Sequence, residues 1–146
     1  MDNIDWTDPE CQVTEHFKVK DLIMLHNWNR LANDSDGFDD DMKAKAVVLA
    51  QKAEEVRAVL GCSMNSHCGL RTVAYNEEQN IKPAVDVHSF MCAMDFDSNS
   101  TMSIEDVKAK LLPHLAELGI RMEFGTTTWV HFDLRAPGPS GRYFHV

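Results

Sequence analysis

WVHFDLR, residues 129–135, alternates in a way that decides how this chain folds. Successive side chains of a strand point to opposite faces, so Val130, Phe132 and Leu134 make one face and Trp129, His131, Asp133 and Arg135 the other. The apolar face belongs against a core. The other sets an imidazole beside a carboxylate between two large side chains, which is a poor way to fill a core unless the polar pair binds something.

Outward from that stretch, RMEFGTTTWVHFDLR (121–135) predicts two strands around Gly125 and the threonines, a hairpin. FMCAMDF (90–96) is expected as a buried strand and CSMNSH (62–67) as a short one. DMKAKAVVLAQKAEEVRAVLG (41–61) places Met42, Ala46, Leu49, Ala50, Ala53, Val56 and Leu60 on one helical stripe, closed by Gly61. TMSIEDVKAKLLPHLAELGI (101–120) predicts another amphipathic helix, with Ser103 and Asp106 as a capping box, Gly119 as its stop, and a kink or break near Pro113. HFKVKDLIMLHNWNRLAN (16–33) carries apolar residues near helical spacing, which predicts a first helix over about 18–31. Between Cys68 and Val87 no periodic element is expected, and a loop of that length in a compact domain implies a job. The expected fold is α+β, helices packed on one face of a small, largely antiparallel sheet, in a single domain over 1–146.

Composition narrows the function. The chain has 146 residues, 44% hydrophobic and 25% charged, and no apolar run approaches the ~20 residues of a membrane span. A net charge of −9 argues against nucleic acid, whose phosphates require clustered Lys and Arg. Part of the acid lies in NDSDGFDDD (33–41), which lacks the further ligands and closing Glu of a calcium loop and reads as a polar turn. The terminus MDNIDWTDPE has neither the basic stretch nor the apolar core of a secretory signal, so cytoplasmic synthesis is expected. Cys11, Cys62, Cys68 and Cys92 fit no zinc-ribbon spacing and are expected to be free thiols in a reducing compartment.

Of seven histidines, His88 and His131 stand nearest to chemistry. Two histidines and a carboxylate make the ligand set of a catalytic zinc site, with a fourth position left open, and His88, Asp95 and His131 offer that set. His16, His26, His67, His114 and His145 read as surface or packing residues, and the tryptophans as core or cleft wall.

Three motifs in order, CGLRTVAYN (68–76), HSFMCAMD (88–95) and WVHFDLR (129–135), together with TEHFKVKDL (14–22), resemble the pattern of the zinc D-alanyl-D-alanine carboxypeptidase and L-alanyl-D-glutamate endopeptidase family. That family includes many phage lysis enzymes and shares its fold with the hedgehog signalling domain. The resemblance spans about 14–135 and implies Zn²⁺ held by His88, Asp95 and His131, with Arg71 facing the substrate and its polarised carbonyl. Tyr75 and Asn76 match as loop-shaping residues. It further implies a monomeric peptidase acting on the peptidoglycan stem peptide, made in the host cytoplasm and reaching the wall once the membrane is breached.

Three positions depart from the pattern. The family's serine two before the first ligand is Asp86, and its glycine three after that ligand is Met91, so a differently made turn is expected there. The family's catalytic Glu or Asp three before the last histidine is Thr128. Two acids are candidates for the missing base: Asp133, ~6.6 Å along the strand from His131, and Glu123, across the hairpin. Asp133 has an alternative role, orienting His131 through its free ring nitrogen.

Overall fold

The computed structural model of the chain describes residues 3–145. Its main sheet has five strands in the order β3-β4-β6-β5-β7, with β3 Asn65–Cys68, β4 Ala93–Asp97, β5 Arg121–Glu123, β6 Val130–Asp133 and β7 Tyr143–Phe144. Every pairing is antiparallel except β5 with β7. A second, two-stranded sheet joins β1 (Met24–Leu25) to β2 (Arg30–Leu31). The fold is α+β.

The helix α2 (Asp40–Leu60) follows its sequence pattern. Asp39 caps it by accepting the Met42 N–H at 3.0 Å, and Gly61 ends it in the left-handed conformation that a Cβ disfavours. Its stripe from Ala46 to Leu60 is buried. The aspartates before it are engaged locally: Asn33 and Asp36 shape a short turn, and Arg30 donates two bonds to Asp36. The helix expected over 101–119 is broken as its proline requires, into α4 (Ile104–Leu111), a 3₁₀ turn at Leu112–His114 and α5 (Leu115–Leu118). Ser103 accepts from the Asp106 N–H at 3.1 Å.

Two expectations give way. Instead of a helix over 18–31 there is one short turn of helix, α1 (Val19–Ile23), followed by the β1–β2 hairpin. Val19, Leu22, Ile23 and Leu25 are all buried, so the apolar spacing marked a core face correctly while Asn27 and Asn29 turned the chain; Asn29 adopts φ 51°. The segment 68–87 contains a helix as well, α3 (Val73–Glu78), capped by Thr72.

The sheet has two distinct faces. Met94, Phe96, Met122, Val130 and Phe132 are fully buried and join the α2 stripe, Val107, Leu111, Leu115 and Leu118 in one core. Burial of each large side chain contributes roughly 1.5–3 kcal/mol against the entropy of ordering it. The opposite face carries Asp95, Arg121, Glu123, His131 and Asp133 by alternation. All four cysteines are free and partly buried. No helix among the described residues is long and apolar enough to cross a membrane.

Candidate metal centre

Register assembles the site. Cys68 lies opposite Asp95 and Asp95 opposite His131. Glu123 follows the Met122–Phe132 pair and so comes beside His131. Across four adjacent strands this makes one row of chemically active side chains: Cys68, Asp95, His131, Glu123. His88 reaches the row from a 3₁₀ turn, Val87–Phe90, that leads into β4.

That turn is held from both ends. Asp86 caps it, accepting the His88 N–H at 2.9 Å and the Ser89 N–H at 3.3 Å on one oxygen, while its other oxygen accepts from Arg71 Nη2 at 2.9 Å. Met91 closes it at φ 56°, a left-handed turn made on a methionine. The strain, about 1–2 kcal/mol, is offset by a side chain with no exposed surface. Asn76, fully buried, donates to the Ala84 carbonyl at 2.7 Å, and Tyr75 accepts the Asn27 N–H at 3.0 Å. These two residues pin the loop below His88. Gly69 is needed where it is, because a Cβ there would stand 2.3 Å from the Leu22 carbonyl oxygen.

The ring nitrogens are sorted by their partners. His88 Nδ1 lies 2.7 Å from the Gly69 carbonyl, which only accepts, so Nδ1 carries a proton and Nε2 is the nitrogen that has a lone pair once the ring is neutral. That Nε2 is 3.4 Å from Asp95 Oδ1. His131 Nε2 faces Asp133 at 2.9 Å, and its Nδ1 faces the same Asp95 oxygen at 2.7 Å. His88 Nε2 and His131 Nδ1 thus each approach the same Asp95 oxygen. In a tetrahedron of zinc bonds to nitrogen and oxygen the donors stand roughly 3.3 Å apart, which the His88–Asp95 spacing matches; the His131–Asp95 spacing is that of a direct hydrogen bond. Among the described residues, the group whose ligand atoms all lie within 4.8 Å of one another and could hold a metal ion is Cys68, His88 and Asp95; it takes in two of the three expected ligands and leaves out His131.

Electrostatics follow this geometry. Burial penalises ionised Asp95, but the contacts to His131 and His88 outweigh it and hold the carboxyl far below its ordinary range. Burial likewise disfavours charged histidines, yet Asp95 and Cys68 raise His88, and Asp133 and Asp95 raise His131. Glu123 moves the other way from Asp95: burial lifts its carboxyl above the usual value, although the His131 charge lowers it.

The two roles open to Asp133 separate here. Its side chain has no exposed surface, and Arg121 binds it through Nε and Nη2, both at 2.8 Å. The Arg135 N–H and His131 Nε2 occupy what remains. No face of the Asp133 carboxylate is left for a reactant, and its contact with His131 fits the orienting role. Glu123, by contrast, lines a cleft of about 550 Å³ together with His88, Asp95, His131, Arg71 and Trp129. The Arg71 Nε is buried without a hydrogen-bond partner among the described residues. Lys82, Arg121 and Arg135 also line the cleft, with Asp86 the remaining acid; Arg71 is paired with Asp86 and Arg121 with Asp133. A second hollow of about 380 Å³, lined by Val48, Phe90, Met91, Cys92 and Leu134 among others, shares no lining residue with it.

Residue types offered His88, Asp95 and His131, and the family resemblance added Arg71 and, for its missing acid, Asp133 or Glu123; all of these but Asp133 line this cleft. They did not single out Arg121, Asp86 or Cys68. Arg121 becomes visible only through the Arg121–Asp133 register pair, and Cys68 only through its pairing with Asp95. No protein-family model, curated protein or solved structure matches the chain.

Proposed function

We propose that this protein is a zinc-dependent peptidase of the peptidoglycan stem peptide, suited to lysis of a bacterial wall. One observation carries the reading: His88 Nε2 and His131 Nδ1, each with its second nitrogen tied off, both aim at Asp95 inside an open cleft. Zinc held by these residues supplies a Lewis acid for the scissile carbonyl and a water acidified to a pKa of about 7. Glu123 is the group placed to take the proton of the attacking water, because it lines the cleft and its raised pKa brings it closer to neutrality. Asp133 and Arg121 hold the His131 ring, leaving Nδ1 as the donor.

Arg71 faces the cleft with an unpartnered Nε and is anchored by Asp86, a geometry suited to a substrate carboxylate or developing oxyanion. Lys82 and Arg135 add positive charge along the same wall, which favours a peptide rich in free carboxylates, as stem peptides are. The substrate class itself rests on the resemblance of the three motifs. The test is hydrolysis of purified peptidoglycan with and without chelator, with product masses identifying the bond cleaved. Chelator-sensitive release of stem-peptide fragments is expected, and an intact wall after incubation with the zinc-loaded protein would overturn the proposal.

A metal-holding domain of the same fold without catalysis, in a binding or virion role, is the second reading. Thr128 favours it: the residue stands where the family pattern has its acid, and it is exposed and outside the cleft lining.

A further inference from the structure

We infer that Cys68 is a fourth protein ligand, making the centre a Cys68–His88–Asp95–His131 set with a preference for thiophilic metals. The inference rests on the metal reading above and adds a donor to it. Its basis is a β-bulge. Ser66 pairs with Phe96 and Cys68 with Asp95, so β3 advances two residues while β4 advances one. In an unbulged ladder the residue opposite Asp95 would be His67. The extra residue re-aims the strand, which is what bulges beside functional sites do. His67 is sent away to bond Asp97 at 2.5 Å, and Cys68 is brought across from Asp95 on the site face.

Three further observations converge on the same thiol. The ligand atoms of Cys68, His88 and Asp95 lie within 4.8 Å of one another, and the thiol touches the His88 ring at Nδ1, 3.7 Å away, beside the donor nitrogen rather than at it. Directly opposed residues of an antiparallel pair have Cβ atoms about 4.5–5.5 Å apart, so a side-chain rotation is enough to bring Sγ and a carboxylate oxygen to one ion. The backbone on either side is fixed: Leu70 donates to the Leu22 carbonyl at 2.8 Å, and Gly69 is packed against that same carbonyl. A thiol held in this way beside a histidine and an ionised carboxylate is a ligand position rather than a surface cysteine. On binding, the thiol proton passes to solvent and the thiolate makes the metal bond. Soft sulfur then selects Zn²⁺, Co²⁺ or Cd²⁺ over Mg²⁺ or Ca²⁺. Four protein donors are the complement of a structural zinc site, so a Cys68 ligand favours the metal-holding reading over the catalytic one.

Cobalt reads this directly, without any turnover. Metal-free full-length protein is titrated with Co²⁺, and absorption is followed for the visible ligand-field bands and for the near-ultraviolet thiolate-to-cobalt charge-transfer band. Wild type is expected to show both at one equivalent. Cys68→Ser, checked for folding by circular dichroism, should keep the visible bands, lose the charge-transfer band, and bind Co²⁺ at least ~10-fold more weakly, the least that losing even an outer partner of a ligand costs. Visible bands with no thiolate band in wild type would overturn the inference and leave the three-ligand centre standing. A thiolate band that survives in Cys68→Ser would equally overturn it, by assigning the sulfur to another cysteine. A folded wild type that takes up no Co²⁺ would overturn this inference together with the metal reading.

Discussion

Asp133 accepts from Nε2 of His131 at 2.9 Å, from two positions along the same strand, and thereby turns the other ring nitrogen toward Asp95. Consecutive side chains on one strand face stand about 6.6 Å apart along the chain, so the contact requires both to lean together, and the Arg121 fork fixes the lean. A carboxylate in this position sets tautomer and orientation, and its loss is felt at the metal before it is felt in chemistry.

Asp133→Asn is therefore expected to weaken zinc binding ~10 to 100-fold, with excess zinc restoring much of the activity. Competition with a chromogenic chelator measures the first and peptidoglycan hydrolysis the second. Unchanged affinity with lost turnover would return Asp133 to the role of base.

Glu123→Gln should bind zinc as wild type does and lose ~10² to 10⁴-fold in turnover, the usual contribution of a placed proton acceptor. Rates on purified peptidoglycan, set against metal content of the same preparation, decide this. Full activity in the variant would send the search to a group that approaches only with substrate.

His88→Ala, Asp95→Ala and His131→Ala are each expected to lose the one equivalent of zinc that elemental analysis should find in wild type. Retention of full metal by all three would remove the centre itself.

Zinc affinity should rise with pH. The metal-free site holds protons on His88 and His131 to higher pH than free imidazoles do, because Asp95 together with Cys68 for His88, and Asp133 with Asp95 for His131, outweigh the opposing effect of burial. A raised pKa stabilises the protonated, metal-free form below that pKa, so binding must expel a proton and strengthens as pH climbs through the raised range, by up to about one log unit per pH unit per proton displaced. Asp95 stays ionised throughout and adds no dependence near neutrality. Isothermal titration at several pH values checks the sign, and an affinity that fell or stayed level from acid to neutral would contradict it.

Met91→Gly sets two effects against each other. It relieves about 1–2 kcal/mol of left-handed strain and removes a fully buried side chain whose truncation costs about 2–5 kcal/mol. Packing should win. A net loss of roughly 1–3 kcal/mol is expected by chemical denaturation, and a stabilised variant would mean that the turn, rather than the core contact, sets the local energy.

Periodicity alone was enough for α2, for the break at Pro113, for β4 and for the β5–β6 hairpin, because each is dictated by side chains within a few residues of one another. Residue type pointed to His88 and Asp95, which the structure places in one group of possible ligands, and to His131, which meets Asp95 across β4 and β6. What sequence could not specify depends on pairing between distant segments. The helix expected over 18–31 gave way after the short α1 to a hairpin, because burial of Leu22, Ile23 and Leu25 is satisfied by either conformation and asparagines decide the turn. Asp133 and Glu123 were interchangeable as bases until the β5–β6 register set Arg121 against Asp133 and left Glu123 in the cleft. Cys68 was one of four unremarkable thiols until a single extra residue in β3 placed it across from Asp95. Strand register moves every side chain to one face or the other in steps of one residue, and only the assembled sheet chooses the step.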